Sequence, residues 1–364
     1  TDSIRADLIE TKLKQNELLA RIKHIDSNVD VINEKCADVS NALAAEAERN
    51  KLRMEALMKK TYPEDSPAAI RRRIFSLMPE AEGDARIMQK ANAKLMFELD
   101  SICQKAGLPY WTAYGSLVGT LSRNGFIPWD DDLDVAMPRP DFDRLVEYCR
   151  RHREELLPMR LMTVDDNPRY VYPIARFSDT RYRVKYQGIR DYGLGLFVDI
   201  YPLDGCGDTE EEAKAWVQQP MRDVKFINCC AADRFTPSRR GWLHTPAKLA
   251  GFAWARLHGS AHYIHRIEAW ARQKDYEKCR YVGCTVWDTN WNIVFPREDL
   301  EETLYVPFED AEFPIPAGYD RMLRHTYGDY MTPPPPEQRI GQHFYTVWPK
   351  EQGAAEEHKE GAIS

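Results

Sequence analysis

The 364-residue chain lacks any uninterrupted apolar run long enough to cross a bilayer. It also lacks an apolar, cleavable leader pattern, because its N-terminus is charged and helical in spacing. Excess positive charge is missing: 50 Lys and Arg stand against 57 Asp and Glu, for a formal net charge of -7. A protein that grips nucleic acid through its phosphates would be basic, so no nucleic-acid partner is expected. None of the 8 cysteines falls in a CxxC or Cys/His zinc spacing. Reduced, mostly structural thiols are expected, with a disulfide-bearing lumenal protein as the alternative. Core material is not lacking. Hydrophobic residues make up 43% of the chain, including 9 Trp, 18 Tyr and 13 Phe, which excludes wholesale disorder.

The first part of the chain carries heptads. One seam is Ile4, Thr11, Leu18, Ile25, Ile32 and Val39; the other is Leu8, Gln15, Ile22, Val29, Cys36 and Leu43. Sustained over several turns without Pro or Gly, this pattern predicts a coiled coil in 1–60, making the chain a homo-oligomer through 1–45. The run Tyr62-Pro63-Glu64-Asp65-Ser66-Pro67 ends the helix, and 61–84 reads as a linker with a short helix. The expected catalytic domain is 85–348, followed by a flexible tail, 349–364. In that domain Ile87, Ala91, Leu95, Leu99 and Ile102 recur at helical spacing, and Gly107 then Pro109 stop the helix. Strands are expected at 110–114, 126–137, 170–178, 181–186 and 194–200, and helices at 116–121, 140–152, 210–232 and 246–274. The C-terminal part reads as irregular and proline-rich.

The chemistry is concentrated in Trp129-Asp130-Asp131-Asp132-Leu133-Asp134-Val135. In a strand, alternate side chains share a face, so Asp130, Asp132 and Asp134 would point one way and Asp131, Leu133 and Val135 the other. Carboxylates crowded on one face repel, and a bound cation offsets this. All-oxygen ligands suit Mg²⁺ or Mn²⁺. The apolar frame on both sides argues against a solvated loop, and the glycine and terminal glutamate of an EF-hand are missing. Upstream, Gly115-Ser116 makes a small turn into a helix, where backbone N–H groups can approach a phosphate. Downstream, Asp199 ends an apolar strand as a natural third acid. A Gly-Ser turn, an Asp-x-Asp pair and an isolated third Asp form the pattern of the nucleotidyltransferase-like fold.

At these residues the chain resembles the LicD family, which includes fukutin-related proteins. The matching blocks are Tyr114-Gly115-Ser116-Leu117-Val118-Gly119-Thr120 with Arg123, then Gly125-Phe126-Ile127-Pro128-Trp129-Asp130-Asp131-Asp132-Leu133-Asp134-Val135. Further blocks are Phe197-Val198-Asp199-Ile200-Tyr201-Pro202-Leu203-Asp204 and Tyr327-Gly328-Asp329-Tyr330-Met331, followed by prolines, Arg339 and His343. The resemblance implies an α+β fold with a nucleotidyltransferase-like mixed sheet flanked by helices, preceded here by the coiled coil. It implies transfer of a substituted phosphate, phosphocholine or a polyol phosphate, from a CDP-linked donor to a hydroxyl of a cell-surface glycan or its precursor, releasing CMP. Asp132, Asp134 and Asp199 match the family's metal-binding acids and are the expected catalytic set, with Mg²⁺ or Mn²⁺ as cofactor. Gly115, Ser116, Arg123, Asp130, Arg339 and His343 are the expected substrate-binding set, Arg123 neutralising the diphosphate and Asp130 and Asp204 orienting the metal ligands. Asp132 or Asp199 would take the proton of the attacking hydroxyl. A choline head group would need an aromatic cage, for which Trp287, Trp291 and Tyr345 are candidates; a polyol would call on Asn290 or Asn292. The expected location is the bacterial cytoplasm, with association at the inner membrane face left open. Two other readings stand: a nucleotidylyltransferase on the same fold that releases pyrophosphate, and an inactive coiled-coil scaffold of an envelope-glycan assembly.

Overall fold

The computed structural model describes residues 48–237, 244–286, 294–334, 339 and 345–350, with isolated positions between 35 and 46. Most of the heptad positions, together with His343, Trp287, Trp291, Asn290 and Asn292, lie outside the described residues. The chain divides into two compact units, Thr1–Ile70 with Pro333–Ile340, and Arg71–Thr332 with Gly341–Ser364. In the first unit, residues 48–61 are helical and end at a turn. Lys59 stitches that turn by donating its ammonium to the carbonyls of Pro63 (2.7 Å) and Asp65 (2.8 Å). Helix α1, Pro67–Ser76, then starts as its sequence dictates. Ser66 accepts a hydrogen bond from the Ala69 N–H, and Pro67 fills the first helical position, where no donor is needed.

The second unit is α+β, with helices flanking a mixed sheet. Its elements are α2 (Gly83–Ala106), β1 (Trp111–Thr112), α3 (Tyr114–Arg123), β2 (Asp134–Pro138), α4 (Arg139–Arg151), β3 (Met159–Met162), β4 (Ala175–Asp179), β5 (Tyr182–Tyr186) and β6 (Leu196–Gly207). There follow α5 (Glu210–Gln218), α6 (Met221–Ala231), α7 (Thr245–Ala271), β7 (Tyr281–Gly283), β8 (Val294–Pro296), β9 (Thr303–Phe308), β10 (Ala311–Pro316), α8 (Tyr319–Tyr327) and β11 (Tyr345–Pro349). The main sheet runs β1-β2-β6-β4-β3, with β7 pairing with β6 and β8 with β7. Only the β2–β6 pair is parallel within it. A parallel pair needs a long crossover, and α4, β3, β4 and β5 occupy it.

Alternation along these strands separates a core face from a chemical face. Val135, Met137, Ala175, Phe177, Val198 and Ile200 point into one core with Leu95, Met96, Leu99 and Ile102 of α2 and Phe142, Leu145 and Cys149 of α4. Each such large side chain, fully buried, contributes roughly 1.5–3 kcal/mol. Helix α2 ends where Gly107 takes a left-handed φ of 62° and Leu108 N–H bonds the Cys103 carbonyl (2.9 Å). Leu95, Leu99 and Ile102 of the expected stripe are buried, but its first position is not. Ile87 is 66% exposed, and the inner face carries Gln89 and Asn92 instead.

Three other expectations change. The helix predicted over 210–232 is two helices, because Pro220 cannot donate to the preceding turn. The C-terminal part is not irregular. It holds the β9–β10 hairpin, in register from Thr303↔Pro316 to Phe308↔Ala311, and α8. Pro307, Pro314 and Pro316 masked these strands, and proline is tolerated there because the pair forms its own two-stranded sheet with free edges. Cys103, Cys149, Cys206, Cys229, Cys230 and Cys279 are free thiols. Burial pushes the Cys149 thiol up to about 12, out of the range of a nucleophile. Among the described residues no helix is long and apolar enough to cross a membrane.

Asp204 was expected to orient the metal ligands. It lies five residues beyond Asp199 on β6, about 17 Å along the strand. There it holds Arg139 at the start of α4 through two hydrogen bonds, Nε–H to Oδ1 (2.6 Å) and Nη2–H to Oδ2 (3.1 Å). Both side chains are buried, so Asp204 is a structural partner. Asp204→Ala should leave the guanidinium buried and uncompensated. A loss of about 3–5 kcal/mol in urea unfolding is expected, with cation affinity per folded molecule unchanged by calorimetry.

Candidate functional site

Sheet register builds the site. In the parallel β2–β6 pair, Asp134 stands directly beside Asp199. In the antiparallel β4–β6 pair, Arg176 stands beside Asp199 on its other side. Three strands therefore place an acid, an acid and a guanidinium in one row. Arg176 donates Nε–H to Asp199 Oδ1 (2.6 Å) and Nη2–H to Oδ2 (3.2 Å), with both side chains nearly inaccessible. Its third nitrogen donates to the Tyr192 hydroxyl (2.9 Å). The guanidinium lies 3.8 Å from the Tyr172 ring centre and 4.1 Å from that of Phe197. Bidentate pairing and stacking together lock Asp199 in one orientation.

Asp132 completes the cluster. Asp132, Asp134 and Asp199 are all buried, and each brings a carboxylate oxygen within 4.8 Å of the others. Asp134 Oδ1 is buried without a hydrogen-bond partner. Burial first, then the charges of Asp132, Asp199 and Asp130, push the Asp134 carboxyl well above its ordinary value, opposed by Arg176. A buried carboxylate oxygen with no donor, facing two more acids, fits an oxygen-seeking divalent cation. Asp132, Asp134 and Asp199 could hold it.

Strand alternation does not explain this arrangement. Regular β structure begins only at Asp134, and Asp130–Leu133 is loop. Asp131, assigned to the opposite face, has a carboxylate oxygen within 4.8 Å of those of Asp130 and Asp132. The loop is shaped by donors from α2. Gln89 Nε2 donates to the carbonyls of Ile127 (3.2 Å) and Asp130 (2.9 Å), and Asn92 Nδ2 to that of Asp131 (3.1 Å). The Tyr345 hydroxyl donates to the same Asp131 carbonyl (2.7 Å), so Tyr345 braces the loop while packing against Tyr186 and Phe197.

Gly115 and Ser116 sit in the first turn of α3, beside the acids. A Cβ on Gly115 would fall 2.7 Å from Asp130 Oδ2, so a side chain there would make that carboxylate shift. The Ser116 hydroxyl, expected to touch a phosphate, accepts the Asp134 N–H (2.8 Å) and is buried. It pins the start of β2. Arg123 is at the far end of α3, about 13 Å away along the helix. It donates to the carbonyls of Phe75 (2.8 Å) and Met78 (2.7 Å) at the end of α1. The structure thus places Arg123 in the scaffold and not beside the acids. Arg339 belongs to the other unit, where its guanidinium donates to the Pro334 carbonyl (2.7 Å). Asp329 pairs with Arg71 (3.2 Å) and accepts from the Thr332 hydroxyl (2.7 Å), a structural role. Tyr327 borders the site: burial, then the charges of Asp134, Asp130 and Asp132, raise its hydroxyl above the ordinary range.

Arg176, Gln89 and Asn92 are the site residues that sequence reasoning missed. Gln89 and Asn92 had a signal, because they continue the buried stripe of Met96 and Leu99 with polar side chains. Arg176 had only its position between Ala175 and Phe177 in a strand.

A mixed sheet that presents paired strand carboxylates beside a Gly-Ser helix start defines a nucleotidyltransferase-like domain. Residues 107–232 match the family model described as LicD/FKTN/FKRP, nucleotidyltransferase domain. The chain is 27% identical over 256 residues to the lipopolysaccharide cholinephosphotransferase LicD of Haemophilus influenzae, covering 68% of this chain and 91% of that protein. It is 23% identical over 161 residues to an uncharacterised protein of Rickettsia typhi, covering 40% of this chain and 42% of that one. Over this region the chain is similar to the LicD family.

Two outcomes test the electrostatics. Asp134 binds its proton more tightly folded than unfolded, so without metal it takes away stability as pH rises from the ordinary 3.8 through its raised value. Asp134→Asn cannot ionise. Urea unfolding in EDTA should show wild type losing stability relative to this variant as pH rises, and added Mn²⁺ should stabilise the variant less than wild type. Arg176→Lys keeps the charge but not the two-pronged grip. Turnover should fall about 10–100-fold, as expected when the partner of a ligand is lost.

Proposed function

We propose that this chain transfers phosphocholine, or a closely related substituted phosphate, from a CDP-linked donor to a hydroxyl of a glycan. The observation that carries this reading is the buried trio Asp132, Asp134 and Asp199 with an unpartnered Asp134 oxygen, on a fold shared with a named cholinephosphotransferase. The trio would hold Mg²⁺ or Mn²⁺, which, when bound, offsets charge on the donor diphosphate.

The chain's own residues supply the rest. The first N–H groups of α3, at Gly115 and Ser116, have no acceptors within the helix and face negative charge favourably. They would bind a phosphate oxygen by backbone alone, since the Ser116 hydroxyl is committed to Asp134. The acceptor hydroxyl attacks the distal phosphorus, and CMP leaves. Asp132 takes the hydroxyl proton, because Asp199 is tied to Arg176 through both oxygens. Asp130, set against Gly115, orients the entry to the cluster. The aromatic set around Tyr172 and Phe197 is filled by Arg176, so it is no cage for a choline. Tyr327, beside the acids and 38% exposed, is the better candidate to cover a quaternary ammonium.

The reaction should be followed with CDP-choline, a glycan acceptor and Mg²⁺ or Mn²⁺. CMP release is expected, abolished by EDTA and by Asp132→Asn in a protein that still melts cooperatively. Pyrophosphate release from a nucleoside triphosphate would assign the site to nucleotidyl transfer instead. Undiminished activity of Asp132→Asn, or full activity in EDTA, would remove the carboxylate trio from the mechanism.

A further inference from the structure

Helix α7 breaks at Gly259, which adopts φ 79° and ψ 162°. Its two halves treat apolar residues in opposite ways. After the break, Tyr263, Ile264, Ile267 and Ala271 recur at helical spacing and are buried. Before it, Leu249, Ala250, Ala253, Trp254 and Leu257 recur with the same period, spanning an arc of about 140°, and all are exposed. Leu257 is 80% exposed and Trp254 57%. In this half only Ala255 is buried. A helix that settles on a globular body turns its apolar stripe inward; this one turns it outward.

The charge around the stripe is mostly positive, with Asp233 beside Arg234 as the exception. In a chain of net charge -7, no Asp or Glu occurs between Asp233 and Glu268. Lys248 and Arg256 lie on the flank of the stripe. Arg256 stacks on Phe252 (4.2 Å) and donates to the Ala232 carbonyl, which holds its cation at the rim. Arg190 and Arg234 are exposed nearby. A second copy of the chain docked face to face would set these cations against their own copies. An anionic surface with an apolar interior matches both features, and tryptophan at the edge of such a stripe suits the headgroup level.

We propose that the stretch 245–258 lies on an anionic lipid surface, with Leu249 and Leu257 inserted below the headgroups, Trp254 at their level, and Lys248, Arg256, Arg190 and Arg234 facing lipid phosphates. The helix is parallel to the surface and does not span it. Anchoring of this kind requires nothing of the carboxylate trio, so its test and that of the reaction are independent.

The full-length protein is sedimented with vesicles of phosphatidylcholine, or of phosphatidylcholine with about one third phosphatidylglycerol. Wild type should pellet with the anionic vesicles only, and high salt should release it. Leu257→Asp, at an exposed position, should melt and turn over as wild type does but partition on the order of tenfold more weakly. Lys248→Glu should weaken binding to anionic vesicles in the same direction. Wild type left in the supernatant at low salt, or Leu257→Asp pelleting as well as wild type, would overturn the proposal. A drop in oligomeric mass of Leu257→Asp by light scattering, without vesicle binding by wild type, would overturn it in favour of a protein interface.

Discussion

Two buried carboxylates stand side by side because β2 and β6 run parallel with Asp134 opposite Asp199. That adjacency is unfavourable by itself, and much of the second unit is arranged around it. On the far side of Asp199, the antiparallel register of β4 delivers Arg176. Its charge offsets one carboxylate and leaves the other, Asp134, with a raised pKa and an oxygen lacking a donor. A site in this state has one acid fixed by protein and one acid poised for something else. The same strands bury Val135, Val198 and Ile200 on their opposite face, so the register that crowds the acids is held by the hydrophobic core behind them. A one-residue slip would turn those side chains outward.

Around this row the scaffold works through backbone contacts. Gln89, Asn92, Tyr345 and Ser116 all bond main-chain groups of the acidic segment, not its carboxylates. Gly115 adds a close approach, since the absence of a Cβ leaves room for the Asp130 carboxylate at the start of α3. The buried Arg139–Asp204 pair does for the far end of β6 what Arg176–Asp199 does for the site. One is structural and the other sits among groups suited to a cation. Sequence spacing does not tell them apart, because each is an aspartate on one strand facing an arginine from elsewhere.

The similarity to the LicD family and the reaction proposed here meet at the carboxylate trio. The exposed stripe on α7 adds a second surface that catalysis does not need. If the proposed lipid contact holds, the enzyme would work beside a membrane on acceptors displayed there, while its net negative charge keeps the rest of the molecule away from the same surface.

Local chemistry was legible in the sequence. The acid run, its apolar frame, the Gly-Ser turn and the isolated Asp199 named the residues that meet in space, and Gly107 marked the end of α2. Strand alternation reached Asp132 and Asp134 by a route that the loop at Asp130–Leu133 does not follow, and it misplaced Asp131 for that reason. The heptads of 1–45 remain an expectation carried by sequence alone. What only tertiary structure decided was partnership: that Arg176 and not Arg123 stands by the acids, that Asp204 belongs to Arg139, that Ser116 serves Asp134, and that Ile87 faces solvent. Residue type and spacing determine what a side chain can do within its own element. Which group from a distant strand or helix faces it is set by register and packing, and those are properties of the whole fold.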